Sequence, residues 1–485
     1  MILGFVRDFP GWWTLATGAI VLALNGAATM HVIVQKRDVR AAIAWVGVIW
    51  LVPVVGSVLY AMLGLNRIRR RATELQRARR RVPSATPRDS AIARIDSESA
   101  VPEVYKPFAR LGEAMSGRPL LTGNAVQVLH NGDEAYPAML AAIDEARSSV
   151  ALCSYIFGDD AAGRPFVDAL ARAVQRGVEV RVLIDGVGVR YTWPPVHHAL
   201  RAAGVRVALF LPRVRDAGLA FFNLRTHRKV LTVDGRVAFT GGLNIQARNI
   251  HRDNPQRLVR DLHFRLEGPV VGQLQEVFAE DWAFTTREIL DGPAWYPALQ
   301  KAGESATRVY TDGPDGDLEI LRTVLLGALA AARESVRIVT PYFLPDQGLI
   351  SALTVAALRG VRVDIVLPAK VNIPMVQWAA TAQFWQVLRP GCRIHLTPQP
   401  FDHTKLLVID RTWVLFGSSN WDPRSLRLNF ELDVECFDAR LAERLDEEVR
   451  LRIVSGSELT LADVDARSRL KKIGHGLARL FSPYL

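Results

Sequence analysis

Cysteine is scarce. The 485-residue chain holds three, Cys153, Cys392 and Cys436, in no pairing or metal-ligand spacing, which excludes a disulfide scaffold and a cysteine zinc site. Each sits in apolar surroundings, where a cysteine serves as a small core residue. Charge is missing from two long stretches. No Asp, Glu, Lys or Arg occurs in the 27 residues from Phe9 to Gln35, nor in the 26 from Ala41 to Asn66. The rest is ordinary: 49% hydrophobic and 22% charged residues overall exclude both wholesale disorder and a polytopic membrane protein. Acids are rare at the same end. Residues 1–82 carry twelve Lys or Arg against three acids, so nine of the formal net charge of +11 belong there. The remaining 403 residues hold +2. A nearly neutral body without a basic groove argues against a nucleic acid partner.

Both uncharged stretches exceed the roughly 20 residues that cross a bilayer as a helix. Trp12 and Trp13 open the first and Tyr60 lies near the end of the second, as expected for interfacial anchors. A signal peptide would have a shorter apolar region and no second span at once behind it. The stretches therefore predict an N-terminal two-helix membrane hairpin over residues 1–66, with helices at about 10–34 and 41–65. Pro53 and Gly56 are tolerated in membrane helices. The turn Lys36–Arg40 nets +2, whereas eight arginines between Arg67 and Arg81 face only Glu74. The larger positive count predicts both ends, and so the body, on the cytoplasmic side of the membrane. The same arginines suit anionic headgroups. Residues 67–120 read as a basic juxtamembrane segment and linker, with Pro83, Ser84, Pro87, Ser90 and Ser97 in the part without regular structure.

Beyond the linker the chain repeats itself. ARSSVALCSYIF at 146–157 matches ARESVRIVTPYF at 332–343, and RGVEVRVL at 176–183 returns as RGVRVDIV at 359–366. THRKVLTVDGRVAFTGGLN at 226–244 matches HTKLLVIDRTWVLFGSSN from 403: His227, Lys229, Asp234, Gly241 and Asn244 each recur 176 residues on as His403, Lys405, Asp410, Gly417 and Asn420. Helical patterns at Tyr136–Arg147, Pro165–Arg176, Leu318–Arg333 and Leu349–Arg359 alternate with apolar strands. This implies βαβ units, a mainly parallel sheet, and two duplicated α/β domains over 121–300 and 301–485. They are expected to pack face to face around a pseudo-twofold axis, each giving one motif to a shared active site.

His and Lys are two apart at the start of β-branched runs, so both point to one strand face. Asp lies an odd step further, and Asp234-Gly235 is a good hairpin turn, so Asp234 and Asp410 read as mainly structural members of the motif. Gly241, Gly242 and Gly417 end the next strand and are expected to let backbone approach a ligand. Asn244 and Asn420 offer amides beside the histidines. Together the two motifs suit a phosphodiester. Lysines neutralise the phosphoryl oxygens and amides orient them, one imidazole attacks phosphorus, and the other protonates the departing oxygen. A carboxylate behind each histidine would fix its tautomer; Asp261 (RDLHFRLEG) and Glu431 (LNFELDVE), downstream of the motifs, are the candidates. His197-His198 reads as surface. Asp185-Gly186-Val187-Gly188 lacks the full dinucleotide fingerprint. Phe221-Phe222, Trp378, Phe384 and Trp385 read equally as acyl-chain path or core.

H-x-K-x4-D followed by G-[GS]-x-N, present twice, resembles the phospholipase D superfamily. KRDVRAAIAW…VPVVGSVLYAMLGLN, GNAVQVLHNGDEA, SYIFGDDAAGRPFVDAL, VLIDGVG, LRTHRK and TPYFLPD extend the resemblance over nearly the whole chain to its bacterial cardiolipin synthases. The resemblance implies a ping-pong transfer of phosphatidyl from one phosphatidylglycerol to another, releasing glycerol and giving cardiolipin. It further implies a phosphohistidine intermediate with His227 as nucleophile and His403 as acid, and no metal or other cofactor. A membrane-anchored phospholipase D or a phosphatidyltransferase using water, phosphatidylethanolamine or another alcohol is the alternative. The approach to the second motif, TPQPFDHTK, departs from the family's usual GFLHSK or GFLHAK. Asp402 there stands to alter the pKa of His403 or the acceptor side of the pocket.

Overall fold

The computed structural model describes residues 11–36, 39–61, 99–211, 224–250, 258–314 and 319–482. These fall into an N-terminal unit, up to residue 61, and a body from residue 99 onward. The arginine run at 67–81, most of the linker, and Phe221-Phe222 lie outside the described residues.

In the N-terminal unit, Gly11–Gln35 forms one helix of 25 residues, about 37 Å at 1.5 Å per residue. Its Leu15–Gln35 portion is long and apolar enough to cross a membrane. The second expected span is not one helix. Val39–Leu51 ends and Val55–Leu59 begins afresh, because Pro53 has no N–H to continue the ladder and Val54 takes φ 69°. The segments pack on each other through polar pairs: Ser57 Oγ donates to Asn25 Oδ1 at 2.6 Å and Trp50 Nε1 to Thr29 Oγ1 at 3.0 Å.

In the body, the strands of the first half lie side by side in the order Arg206–Phe210, Glu179–Asp185, Ser149–Ser154, Val230–Val233, Val237–Gly241, Leu262–Glu267, Leu121–His130. Those of the second half run Arg393–Thr397, Arg362–Pro368, Ser335–Val339, Leu406–Ile409, Trp413–Gly417, Asn429–Phe437, Ser305–Asp312, the same order, with one further strand, Ser457–Leu459, at the outer edge. Leu121–His130 pairs antiparallel with Ser305–Asp312, so the halves also join edge to edge in one sheet. The sheet is mixed rather than mainly parallel. Arg206–Phe210, Glu179–Asp185 and Ser149–Ser154 are mutually parallel, as are Arg393–Thr397, Arg362–Pro368 and Ser335–Val339, but Ser457–Leu459 pairs antiparallel at the second half's edge and the motif strands form antiparallel hairpins. Tight turns at Asp234-Gly235 and Asp410-Arg411, all four residues at φ between 50° and 60°, produce that reversal.

Helices Asn131–Glu145 and Gly163–Gln175 cover the outer face of the first half, and Ile320–Ala331 and Gln347–Leu358 that of the second. Between the halves lies a third core fed by both, with the helices Val270–Thr286 and Ala439–Ser455. Phe264 and Phe416, one from each half, stack there with ring centroids 3.7 Å apart. Cutting either ring to alanine would remove about 3–5 kcal/mol. The helix Lys106–Ser116, within the stretch read as linker, packs Phe108 against Trp413 of the second half. All three cysteines are buried. Phe384 is core, while Trp378 and Trp385 are exposed. Of the pair read as surface, His198 is exposed, whereas His197 is buried because it opens a helix packed on the first half.

Candidate active site

Each motif histidine follows a two-residue strand that pairs with the opposite half. Arg225–Thr226 runs parallel to Asn429–Phe430, and Phe401–Asp402 runs parallel to Val259–Arg260. The backbone seats the histidines the same way: His227 N donates to Phe430 O at 2.9 Å and His403 N to Arg260 O at 2.7 Å. One residue further along each partner strand stands a carboxylate. The pairing is therefore crossed. Glu431 Oε2 lies 2.9 Å from His227 Nδ1, and Asp261 Oδ2 lies 2.8 Å from His403 Nδ1. Ser418 O also faces His227 Nδ1, at 3.1 Å. Acceptors on that side assign the proton to Nδ1 and leave Nε2 for chemistry. Asp185 supports the arrangement from behind, accepting from Thr226 N at 2.9 Å and from the N–H groups of Val187 and Gly188.

Strand alternation separates the intervening side chains. Arg228 points away from the histidine face and is buried, donating to Asp281 Oδ1 at 2.6 Å and to Glu431 O at 3.0 Å. Lys229 and Lys405 are buried beside the site, each ammonium turned to the carbonyl of its own histidine. They do not line the cleft that holds the histidines. That cleft, of about 370 Å³, is lined by His227, His403, Asn244 and Asn420. It is also lined by a tyrosine from each half, Tyr155 and Tyr342, and by Arg225, Arg248, Arg424 and Asp422. Arg248 and Arg424 stand 176 residues apart, four beyond the motif asparagines. The repeat extended by four residues would have found them; they lie past the last strand, where the hydrophobic pattern stops. Asn244 Oδ1 accepts from Ile156 N at 3.1 Å.

The glycines after the motif strands make room for the carboxylate strand, not for a ligand. A Cβ on Gly242 would lie 2.3 Å from both Asp261 carboxylate oxygens, and one on Gly417 2.3 Å from Leu432 O. The residue equivalent to Gly242 is Ser418, whose hydroxyl donates to Glu431 Oε2 at 2.5 Å. Asp234 and Asp410 are turn residues. Asp234 accepts from the N–H groups of Arg147, Ser148 and Ser149, and Asp410 from those of Arg333, Glu334 and Ser335 and from the Tyr105 hydroxyl.

The electrostatics of the pairs differ. Burial, with Lys229 and Lys405 nearby, pushes His227 down to about 4 despite Glu431. Burial pulls Glu431 upward, but His227, Lys229 and Ser418 outweigh it and leave it below the usual carboxylate value. Burial lifts Asp261 to about 7, with Asp402 adding to the rise and Lys405 opposing it. His403 is held well below its ordinary value by burial and then by Lys405 and Lys229. Asp402 does not face the cleft; it accepts from Arg452 Nε at 2.9 Å, and its influence passes through Asp261. Burial also lowers Lys229 to about 7 and Lys405 to about 8. A bound phosphodiester would favour the charged ammonium again.

Comparison with known proteins agrees with this geometry. A family model described as cardiolipin synthase, PLD-like domain, matches residues 139–282 and 325–452, and one described as phospholipase D-nuclease N-terminal matches 23–64. Cardiolipin synthase A of Pseudomonas putida is 30% identical over 473 residues, covering 96% of this chain and 97% of that protein. Cardiolipin synthase A of Pseudomonas aeruginosa is 30% identical with 99% of both chains covered. Cardiolipin synthase 1 of Bacillus anthracis is 29% identical, with 94% of this chain and 91% of that protein covered. Among solved structures, phosphatidylserine synthase from Haemophilus influenzae matches with a TM-score of 0.60 at 15% identity, over 78% of this chain and 100% of its own. At that identity the likeness establishes the fold. With two matches to one family model and full-length relatives at this level, the chain belongs to the cardiolipin synthase family of phospholipase D-like proteins.

Proposed function

We propose that the chain makes cardiolipin by phosphatidyl transfer between two phosphatidylglycerol molecules, and that the crossed pairing of two histidines with two carboxylates carries the reaction. His227 Nε2 attacks phosphorus, the P–O bond to the headgroup glycerol breaks, and the proton held by the Asp261–His403 pair goes to the departing oxygen. A second phosphatidylglycerol then gives its headgroup proton back to that pair and attacks phosphorus, the P–N bond breaks, and His227 is free again. Lys229 and Lys405 balance the phosphoryl charge from behind the histidines, while Asn244 and Asn420 orient the oxygens from the cleft wall beside Arg248 and Arg424. The division of labour follows from the pairs. With Asp261 lifted to about 7, the Asp261–His403 pair keeps a transferable proton near neutrality. Glu431 below its usual value and His227 at about 4 leave the other imidazole unprotonated and able to attack.

The repeated strand order supports two duplicated α/β domains sharing this site. The N-terminal helices serve as a membrane hairpin with both ends on the cytoplasmic side, which the positive count at residues 67–81 supports.

Full-length detergent-purified protein incubated with phosphatidylglycerol alone, with EDTA present, tests the reading by lipid mass spectrometry. Cardiolipin and free glycerol are expected. Phosphatidic acid as the main product would make the chain a hydrolase. Turnover only after phosphatidylethanolamine or another alcohol is added would keep the chemistry and change the acceptor.

A further inference from the structure

The last helix of the body, Arg469–Leu480, is amphipathic in the wrong sense for a soluble fold. Its small residues Gly474 and Ala478 lie on the less exposed side, and it packs against the helix Pro374–Thr381. Its large aliphatics face outward: Leu470 is 83%, Ile473 60%, Leu477 55% and Leu480 73% exposed. Steps of three, four and three residues place them on one stripe about 100° wide. Phe481 and, on the neighbouring helix, Trp378 and Met375 extend the apolar surface, with Trp378 stacked on His475. From Ala466 to Ser482 there are five Lys or Arg and no acid. Beside the helix a cavity of about 440 Å³ is lined by Arg389, Arg467, Lys472 and Arg479, with Asp465 its one acidic lining residue. An outward aliphatic stripe flanked by cations is the pattern of a helix lying in a lipid interface. The neighbouring helix ties this surface to the chemistry, because Val376 and the preceding Ile373 line the active-site cleft.

We infer that Arg469–Leu480, with the exposed side of Pro374–Thr381, is a second lipid-contact surface that lies on an anionic bilayer and brings the mouth of the cleft to the headgroup layer. The excess of flanking cations over the single Asp465 selects phospholipid of negative charge over a neutral surface or a second copy of this equally cationic face. The choice of anionic lipid agrees with the proposed reaction, but the stripe and its charges stand without it.

The test uses the full-length protein reconstituted in vesicles, with an environment-sensitive dye on Leu477→Cys and, as control, on Arg172→Cys. The three native cysteines are buried, so labelling selects the introduced one. Brominated acyl chains are expected to quench the Leu477→Cys dye in vesicles containing phosphatidylglycerol, several-fold less in phosphatidylcholine alone, and the Arg172→Cys dye in neither. No quenching at Leu477→Cys in either vesicle would overturn the lipid contact, and equal quenching in both would overturn its anionic selectivity. A dye shift that tracks protein concentration in lipid-free detergent would assign the stripe to self-association instead. The variant Leu470→Glu/Leu477→Glu is expected to lose several-fold turnover on vesicle phosphatidylglycerol and none on a short-chain, monomeric one; equal loss on both would count against the surface. Quenching needs no turnover, so the outcome is readable even where the proposed reaction fails.

Discussion

The two histidine–carboxylate pairs occupy equivalent places in a repeated frame, yet they are not the same device. Glu431 accepts from His227, from the Ser418 hydroxyl and from Asn429 Nδ2 at 3.0 Å. Asp261, one methylene shorter, packs on Gly242 and accepts from His403 and from Leu262 N at 2.9 Å. Donors to the ionised form favour it, whereas burial with fewer donors and Asp402 nearby favours the protonated one. The Ser418 hydroxyl, the Asn429 amide and the extra methylene of Glu431 are the local differences between the pair proposed to attack and the pair proposed to donate a proton.

Removing either imidazole breaks the comparison most severely. His227→Ala and His403→Ala should each lower cardiolipin formation by about 10⁴-fold or more, measured by mass spectrometry on protein whose circular dichroism is unchanged. They should differ in kind: an acid-labile phosphatidyl label can form on the His403→Ala protein but not on His227→Ala. A stable label on His403 in the His227→Ala protein would reverse the roles.

The carboxylates come next. Glu431→Gln and Asp261→Asn should each slow turnover by roughly 10²–10³-fold. Glu431→Gln should act on the first release of glycerol, and Asp261→Asn on both half-reactions, resolved by single-turnover kinetics. The pH profile sharpens the same distinction. The donor pair loses its proton as pH rises through the Asp261 value of about 7, so turnover should fall across that range. His227 takes up a proton only near 4, so the attacking pair stays competent down to mildly acid pH. Asp261→Asn should abolish the fall near 7, and an unchanged profile in that variant would assign the limb to another group.

The smallest effect tests the origin of the difference. Ser418→Gly makes the Glu431 side resemble the Asp261 side and should slow the first half-reaction by about tenfold, because Glu431 loses a donor to its ionised form. Asp234→Ala serves as a control outside the chemistry. Losing the acceptor of three backbone N–H groups should lower stability by about 1–3 kcal/mol in urea unfolding while leaving turnover per folded molecule intact.

How much of this was legible in the sequence depended on the distance over which each feature is encoded. The histidines, lysines and asparagines were readable because their spacing is local and repeats. The turn role of Asp234 was readable from its odd step along the strand and from the glycine behind it. Asp261 and Glu431 were visible as candidates, but their crossing was not. It is set by pairing Arg225–Thr226 with residues two hundred positions away, and no local pattern records such a register. The lysines were expected to face the pocket; their burial against the histidine carbonyls, outside the cleft lining, depends on the packed core. The break at Pro53 was present in the sequence but read as tolerable; whether a proline bends or ends a helix depends on what packs beside it.

The crossed seating has a consequence for synthesis of the protein itself. A chain elongated only to residue 428 carries His227, Lys229 and Asn244, but neither the strand that seats His227 nor Glu431, which holds its ring. His403 by then has its carboxylate, Asp261, but no armed partner to work with. On the proposed chemistry, the competence of His227 would wait for Asn429–Phe437 to supply both its backbone seat and its ring partner. A copy that stops before Asn429 would then be unable to begin the transfer, even beside its substrates.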